Sequence, residues 1–83
     1  MRVMVRFLTR DAGSDEVRSL IPAERQRVRE LNEEGTLEVL YLAADRASGW
    51  IVMRGPSVES VEEALATLPL HPYLDLELTT ILE

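Results

Sequence analysis

The chain has no cysteine, no lysine and only one histidine among its 83 residues. Without cysteine it can form neither a disulfide bond nor a thiolate nucleophile, and one histidine is too few for a typical zinc or iron site. The sequence also contains no cofactor-binding motif. We therefore expect a protein that works without a metal or another cofactor.

The charged residues argue against nucleic acid and membrane partners. Fifteen acidic residues outnumber nine basic ones, all arginine, and the formal net charge is -6. The arginines are not gathered in one stretch, so the chain should repel the phosphates of nucleic acid. The amino-terminal stretch MRVMVRFLTR is too short, and too often interrupted by arginine, to be a signal peptide or a membrane span. We expect a soluble, cytoplasmic protein.

Apolar periodicity divides residues 1–83 into six elements of a single predicted domain. They are a strand ending near Thr9, a helix from about Asp15 to Glu34, the strands TLEVLYLA and GWIVMRG, a helix capped by Ser57 that runs to about Thr67, and a strand from about Tyr73 to Thr80. Pro22 should either kink the first helix or mark its true start. The order βαββαβ predicts a ferredoxin-like α+β fold, with two helices on one face of a four-stranded antiparallel sheet.

The first three strands carry large apolar residues on both of their faces. In the second strand, Leu37, Val39 and Tyr41 alternate with Leu40 and Leu42. An antiparallel sheet with one wet face should alternate more cleanly, and an uncovered apolar face often marks a partner site. We expect a second copy of the chain to cover that face, in a face-to-face dimer or a larger ring of dimers. The alternative is a monomer with an apolar surface.

The last strand alternates leucine with acidic residues. Leucines at positions 74, 76 and 78 share one face and should pack under the helices, which turns Asp75 and Glu77 toward the uncovered face. Arg6 on the neighbouring first strand has the matching parity and should lie across from one of these acids. The arrangement is either an anion or polar-ligand site or a structural ion pair that sets the strand register.

Glu24 lies in the middle of the apolar stripe of the first helix. Its neighbours on that stripe are leucine, isoleucine and valine at positions 20, 21 and 28. A carboxylate buried there would have a raised pKa and would be a stronger base toward carbon acids. The alternatives are that Pro22 shifts the helical phase so that Glu24 reaches water, or that Glu24 caps the first turn of a helix starting near Ser19.

Three stretches carry a resemblance to a known family. They are EGT at Glu34 to Thr36, PSVE at Pro56 to Glu59, and LPL.PY.D.E from Leu68 to Glu77. Through them the chain from Pro22 to Leu78 resembles, without a gap, muconolactone Δ-isomerase and its small relatives. The resemblance implies a dimeric α+β barrel, commonly a decamer built of dimers. It also implies a 1,3-proton shift that moves the double bond of a five-membered unsaturated lactone in aromatic degradation, without a cofactor.

The resemblance suggests roles for five residues. Family enzymes have a glutamate similar to Glu24, and we expect Glu24 to be the base that removes and returns the proton. They also carry a basic residue where Arg6 stands, so Arg6 would neutralise a substrate carboxylate or the developing oxyanion. Tyr41 and Trp50 fall where relatives carry aromatics and would wall the substrate pocket, unless they are plain core. His71 stands where relatives commonly have an aromatic residue, and is either a packing or surface position or a residue of the site, with a substrate-binding or catalytic role.

Two other functions stay open, because kinship of fold does not fix activity. A non-catalytic oligomer of the same fold could bind a small apolar or acidic molecule or act as a scaffold for a pathway enzyme. A cofactor-free oxygenase of this fold class would consume oxygen with a phenolic substrate. A buried Glu24 beside a cavity would favour the isomerase, and an exposed Glu24 with a filled cavity would favour the scaffold.

Overall fold

Four strands and two helices alternate along the chain in the predicted order. A computed structural model describes all residues, 1–83. The elements are β1 (Arg2–Thr9), α1 (Asp15–Glu33), β2 (Leu37–Leu42), β3 (Ser48–Arg54), α2 (Val58–Ala66) and β4 (Leu74–Ile81), and a 3₁₀ turn at His71–Tyr73 leads into β4. The strands form one antiparallel sheet in the order β2-β3-β1-β4. The ferredoxin-like α+β topology is therefore confirmed.

The first helix runs without interruption through Pro22. Ser14 caps its start, because the Ser14 hydroxyl oxygen accepts the backbone N–H of Val17 at 3.2 Å. Just beyond its end, Gly35 has a φ of 84°, a left-handed conformation that glycine adopts without strain. The hypotheses that the helix begins at Pro22 or near residue 19 are therefore wrong, and Glu24 lies well inside the helix.

The second helix begins where the sequence predicts. The hydroxyl of Ser57 accepts the backbone N–H of Ser60 at 3.1 Å, and the hydroxyl of Ser60 accepts the backbone N–H of Ser57 at 3.3 Å. This reciprocal pair satisfies two backbone donors at the helix start. Neither helix is long and apolar enough to cross a membrane.

The hydrophobic core lies between the helices and one side of the sheet, which we call the helix face. Its buried residues are Val3, Val5, Phe7, Leu31, Leu37, Ile51, Met53, Val61, Leu65 and Leu68. The three leucines at alternate positions of β4 pack against this core, as predicted. The other side of the sheet, which we call the open face, carries Met4, Arg6 and Leu8 of β1 and no helix.

A β-bulge at Glu38 changes the facing of β2. Leu37 pairs with Met53, but Val39 pairs with Val52. Between these two pairs β2 advances by two residues while β3 advances by one. Leu37 therefore lies on the helix face together with Leu40, and the prediction that Leu37 shares a face with Val39 is wrong. The alternation of apolar residues in the sequence does not predict this bulge, because one extra residue reverses the face on which each preceding side chain lies.

The bulged residue is held by two arginines. The Glu38 carboxylate accepts two hydrogen bonds from Arg2, at 3.1 and 2.9 Å, and forms an ion pair with Arg54 at 2.8 Å. The hydrogen bond from Arg2, followed by the positive charge of both arginines, holds the pKa of Glu38 below its usual range. This network links β1, β2 and β3 at one end of the sheet.

The free edge of β2 is also occupied. The Asn32 side-chain amide, at the end of α1, donates to the carbonyl oxygens of Leu37 at 2.9 Å and of Glu38 at 3.3 Å. The bulge and the amide together disturb the start of this strand as an edge with which another strand could pair.

Gly49 provides a sharp test of core packing. Phe7 lies directly opposite Gly49, and a Cβ at position 49 would lie 2.8 Å from the Phe7 ring and overlap the carbonyl oxygen of Tyr41. We expect Gly49→Ala to lower the free energy of unfolding by about 1–3 kcal/mol, because the backbone side of this contact cannot move away. Urea unfolding measures the change.

The matched control is Gly13→Ala, because a Cβ at position 13 meets no atom within 4 Å. We expect this control to change stability by no more than about 1 kcal/mol, in the stabilising direction. Equal urea midpoints for the two variants would contradict the predicted close packing at Gly49.

Candidate functional site

Glu24 joins the first helix to the turn that follows the second. One carboxylate oxygen, Oε1, accepts the backbone N–H of Leu70 at 2.9 Å. The two residues are 46 positions apart in the sequence. Leu70 is buried and Glu24 is half-buried, so the hydrogen bond lies at the edge of the core. Because the donor is a backbone N–H, which cannot rotate away as a side chain can, the bond fixes the orientation of the carboxylate.

The other carboxylate oxygen of Glu24 is free. Glu24 takes part in no ion pair and makes no further side-chain hydrogen bond. No buried side-chain oxygen or nitrogen in the chain lacks a hydrogen-bond partner, so the unpartnered Oε2 must reach the surface. The carboxylate is thus anchored at one oxygen and accessible at the other, which is the geometry that a general base requires.

The surroundings raise the basicity of Glu24. Burial raises the pKa of its carboxyl above the ordinary value, and the Leu70 N–H opposes that rise only in part. The neighbours on the apolar stripe, at positions 20, 21 and 28, are themselves half-buried. The raised pKa expected of a buried Glu24 is therefore present, although the residue is half-buried rather than buried and lines none of the three main cavities.

The turn that meets Glu24 is held from its other side by Arg10. The Arg10 guanidinium donates to the carbonyl oxygen of Pro72 at 2.6 Å and forms an ion pair with Asp75 at 3.2 Å. The backbone N–H of Arg10 donates to the carbonyl oxygen of Tyr73 at 2.7 Å. The sequence pattern predicts none of these three contacts, since its only signal at this turn is the pair of prolines that restrict it.

His71 lies in the same turn but faces a different space. It lines a cavity of about 480 Å³ between α2 and β4, together with Glu62, Leu65, Ala66, Leu76 and Leu78. Four of the six lining residues are apolar, and the other two are Glu62 and His71. Glu24 does not line this cavity or either of the other two main cavities.

Arg6, Tyr41 and Trp50 lie side by side on the open face. Tyr41 pairs with Trp50, Trp50 with Arg6, and Arg6 with Glu77, one residue from each strand. We call these four residues the cross-strand row. Directly opposite residues of antiparallel strands share a face, so all four side chains leave the sheet on the open side. Tyr41 is 61% exposed and Trp50 40%, so neither is plain core.

The predicted ion pair of Arg6 does not form within the chain. Arg6 lies opposite Glu77, as the parity predicts, but neither residue takes part in an ion pair within 4.0 Å. Asp75, the other predicted partner, pairs with Arg10 instead. Arg6 borders a cavity of about 440 Å³ formed by β1, β4 and the loop before β3, whose other charged residues are all acidic.

The five predicted site residues therefore fall into two groups. Glu24 and His71 belong to the layer of helices and connecting turns, whereas Arg6, Tyr41 and Trp50 project from the opposite side of the sheet. A single chain does not bring Arg6 to the carboxylate of Glu24. No group of three or more histidine, cysteine, aspartate or glutamate side chains is placed to hold a metal ion.

The fold and the anchored carboxylate define a small ferredoxin-like α+β protein with one candidate acid–base residue. The chain belongs to the muconolactone Δ-isomerase family, whose model matches residues 1–83. It is 29% identical over 68 residues to the muconolactone Δ-isomerase of Pseudomonas aeruginosa, a match that covers 82% of this chain and 71% of that protein. The family that the sequence motifs predict is thus confirmed.

Two solved structures are similar in fold. A crystal structure of muconolactone isomerase matches 100% of this chain and 90% of its own, with a TM-score of 0.81 and 29% identity. The structure of Rv0793 from Mycobacterium tuberculosis matches 99% of this chain and 94% of its own, with a TM-score of 0.51 and 18% identity. The second likeness concerns the fold alone.

The raised pKa of Glu24 predicts a pH dependence of stability. The pKa of Glu24 is higher in the folded state than in the unfolded state. At pH values between these two pKa values, the folded state therefore binds more protons than the unfolded state. The stability that protonated Glu24 contributes is therefore complete below the unfolded pKa and is lost as the pH rises through the folded pKa. We expect the free energy of unfolding of the wild type, relative to Glu24→Gln, to fall over that interval.

Urea unfolding from pH 4 to 8 measures this difference. Glu33→Gln is the control, since it changes an exposed carboxylate on the same helix. Parallel stability curves for the wild type and Glu24→Gln would show that burial does not perturb Glu24.

Proposed function

We propose that this protein is a cofactor-independent isomerase that moves a proton and a double bond in an unsaturated lactone or a similar carbon acid, with Glu24 as its base. Membership of the muconolactone Δ-isomerase family supports the reaction class. The observation that carries the proposal is the carboxylate of Glu24, half-buried, anchored by Leu70 and free at its second oxygen. We further propose that the protein works in the cytoplasm, in the breakdown of aromatic compounds.

The chemistry needs one base that acts twice. The Glu24 carboxylate removes a proton from the carbon next to the unsaturated system, and the electron pair of that C–H bond moves into an enolate. Protonated Glu24 then returns the proton to the far carbon of the same system, the double bond shifts, and the carboxylate is restored. A base with a raised pKa is better matched to both transfers than an ordinary glutamate, because it holds the proton more firmly between them.

The Leu70 hydrogen bond fits this double role. It holds Oε1 while Oε2 exchanges the proton, so the base does not have to reorient between the two transfers. No arginine lies within ion-pair distance of Glu24 to stabilise its charged form, and desolvation remains the main influence on its pKa. The apolar residues around Glu24 would favour a substrate with an apolar ring.

Arg6 of the same chain does not stabilise the charge of an enolate at Glu24. Arg6 projects from the other side of the sheet, so within one chain it does not face a substrate at Glu24. His71 lies one residue beyond Leu70 and lines the neighbouring apolar cavity, with Glu62 across it. His71 is the one other predicted site residue on the Glu24 side of the sheet, and in this proposal it keeps the substrate-binding role, for a substrate that extends from Glu24 toward the neighbouring cavity.

A second candidate function is a non-catalytic protein that binds a small apolar ligand. It is favoured by the hydrogen bond from Leu70, which would give Glu24 a structural role, and by the mostly apolar cavity beside His71, which Glu24 does not line. The two candidates differ in whether Glu24 exchanges a proton with the ligand.

The test is proton exchange followed by NMR in deuterated water, with muconolactone and simple unsaturated lactones as substrates. We expect the wild type to catalyse isomerisation or deuterium uptake and Glu24→Gln to lose about 10²- to 10⁴-fold in rate, the usual contribution of general acid–base catalysis. The wild-type rate should fall as the pH drops through the raised pKa of Glu24, because the protonated carboxyl cannot remove a proton.

Glu33→Gln is the matched control and should keep the wild-type rate, because residue 33 is exposed at the end of the same helix. Exchange that survives in Glu24→Gln would show that another group is the base. A folded wild type that binds a lactone without any exchange would favour the ligand-binding candidate.

A further inference from the structure

The connection 67–73, between α2 and β4, has one backbone donor that its own backbone does not use. Positions 69 and 72 are prolines and have no N–H. The N–H groups that bond to the carbonyl oxygen three residues earlier are those of Thr67, Leu68, His71 and Tyr73. The N–H of Leu70 is the remaining one, and it donates to Oε1 of Glu24 at 2.9 Å. The connection therefore presents a single unused backbone donor, and that donor binds the candidate base.

The direction of this N–H depends on the turn that follows it. The Tyr73 N–H donates to the carbonyl oxygen of Leu70 at 2.7 Å, which closes the residues from Leu70 to Tyr73 into one 3₁₀ turn. A hydrogen bond weakens steeply when the donor turns away from the line to its acceptor. Since Leu70 belongs to the turn, a movement of the turn misdirects its N–H and weakens the bond to Glu24.

Three side chains from other parts of the protein bind this connection. Glu24 binds it at Leu70, and Arg27 binds it nearer its start. Both of these residues belong to α1. Arg10, which directly follows β1, donates to the carbonyl oxygen of Pro72 at 2.6 Å. Arg10 is therefore the one side chain among the three that ties the turn to the sheet rather than to α1.

Arg10 is fixed to β4 and joined to α1 by a short loop. Its guanidinium forms an ion pair with Asp75 at 3.2 Å. The next residue, Asp11, has a φ of 53°, a left-handed conformation that is uncommon for residues other than glycine, and its carbonyl oxygen accepts the N–H of Ser14 at 2.8 Å. Ser14 caps α1, so this loop leads directly from Arg10 to the helix that carries Glu24. The contacts of Arg10 and Glu24 thus form a closed ring through the turn.

We propose that Arg10 is a positioning residue for Glu24, acting through the turn that both of them bind. By holding the carbonyl oxygen of Pro72, Arg10 keeps the N–H of Leu70 directed at the carboxylate. Oε1 then stays occupied, and Oε2 is left as the oxygen that exchanges the proton. The effect on catalysis rests on the proposed function, whereas the effect on the Leu70 hydrogen bond is a property of the folded chain alone.

The test replaces Arg10 with methionine, which keeps an unbranched apolar stem and has no donor for the Pro72 carbonyl. We expect the Leu70 amide of Arg10→Met to exchange with deuterium roughly tenfold faster than in the wild type, while the slowest amides of the sheet keep their rates. The pKa of Glu24 should rise, because the Leu70 hydrogen bond opposes the effect of burial. Amide hydrogen exchange and a pH titration of the Glu24 carboxyl carbon, both by NMR, measure the two quantities.

Arg18→Met is the matched control. It removes the same charge from an exposed arginine on α1, whose ion-pair partner is Asp15 at 3.8 Å and which does not bind the turn. We expect the Leu70 exchange rate and the pKa of Glu24 to keep their wild-type values in this variant.

Three outcomes would overturn the proposal. A wild-type exchange rate of the Leu70 amide in Arg10→Met would show that the turn keeps its place without the arginine. A raised pKa of Glu24 without faster exchange at Leu70 would show that Arg10 acts by its charge alone. Faster exchange of all amides together would show that Arg10 supports only the global stability.

The lactone exchange assay tests the catalytic consequence. We expect Arg10→Met to lower kcat by up to about 10²-fold, as a small misplacement of a catalytic group does, with KM unchanged because Arg10 contacts the turn rather than the substrate. A wild-type kcat in a variant with a fast Leu70 amide would contradict that consequence. A wild type that exchanges no lactone would reject the proposed function, while the Leu70 exchange rate and the pKa of Glu24 would still decide the role of Arg10.

Discussion

Two helices can cover only one face of a four-stranded sheet, and the rest of this molecule follows from that constraint. The covered face holds the core, from Val3 and Val5 on β1 to Leu65 on α2. The uncovered face keeps Tyr41, Trp50 and other large side chains in water. A side chain on a strand must belong to one face or the other, so the sheet divides the chemistry of the protein into two separate regions.

The region on the helix side contains one carboxylate in an unusual setting. Glu24 occupies a position in α1 where the apolar stripe would take a leucine, and it remains there because Leu70 supplies a hydrogen bond from the far end of the chain. The bond offsets part of the cost of burying the charge without cancelling it, so the carboxyl keeps a raised pKa. Arg10 holds the other side of the same turn. The position of the Glu24 carboxylate and its pKa thus both depend on the turn that contains Leu70 and Pro72.

The sequence predicts what local patterns control. The order of elements, the Ser57 cap, the facing of β4 and the odd placement of Glu24 all follow from periodicity within single elements. The sequence does not predict features that depend on contacts between residues far apart in the chain. The bulge at Glu38 coincides with arginines from two other strands. Asp75 lies opposite Leu8, two residues from both Arg6 and Arg10, and it pairs with Arg10, whose backbone N–H is bonded to Tyr73 at the start of β4.

The two edges of the sheet differ in how they meet other polypeptides. Two carbonyl groups at the start of β2 are already occupied by the Asn32 amide, and the bulge disturbs the strand that carries them. The β4 edge has eight consecutive strand residues and neither device. The β4 edge is therefore the one more open to strand addition, the first step toward aggregates, and the acidic residues Asp75 and Glu77 on it are of the charged type that opposes such pairing.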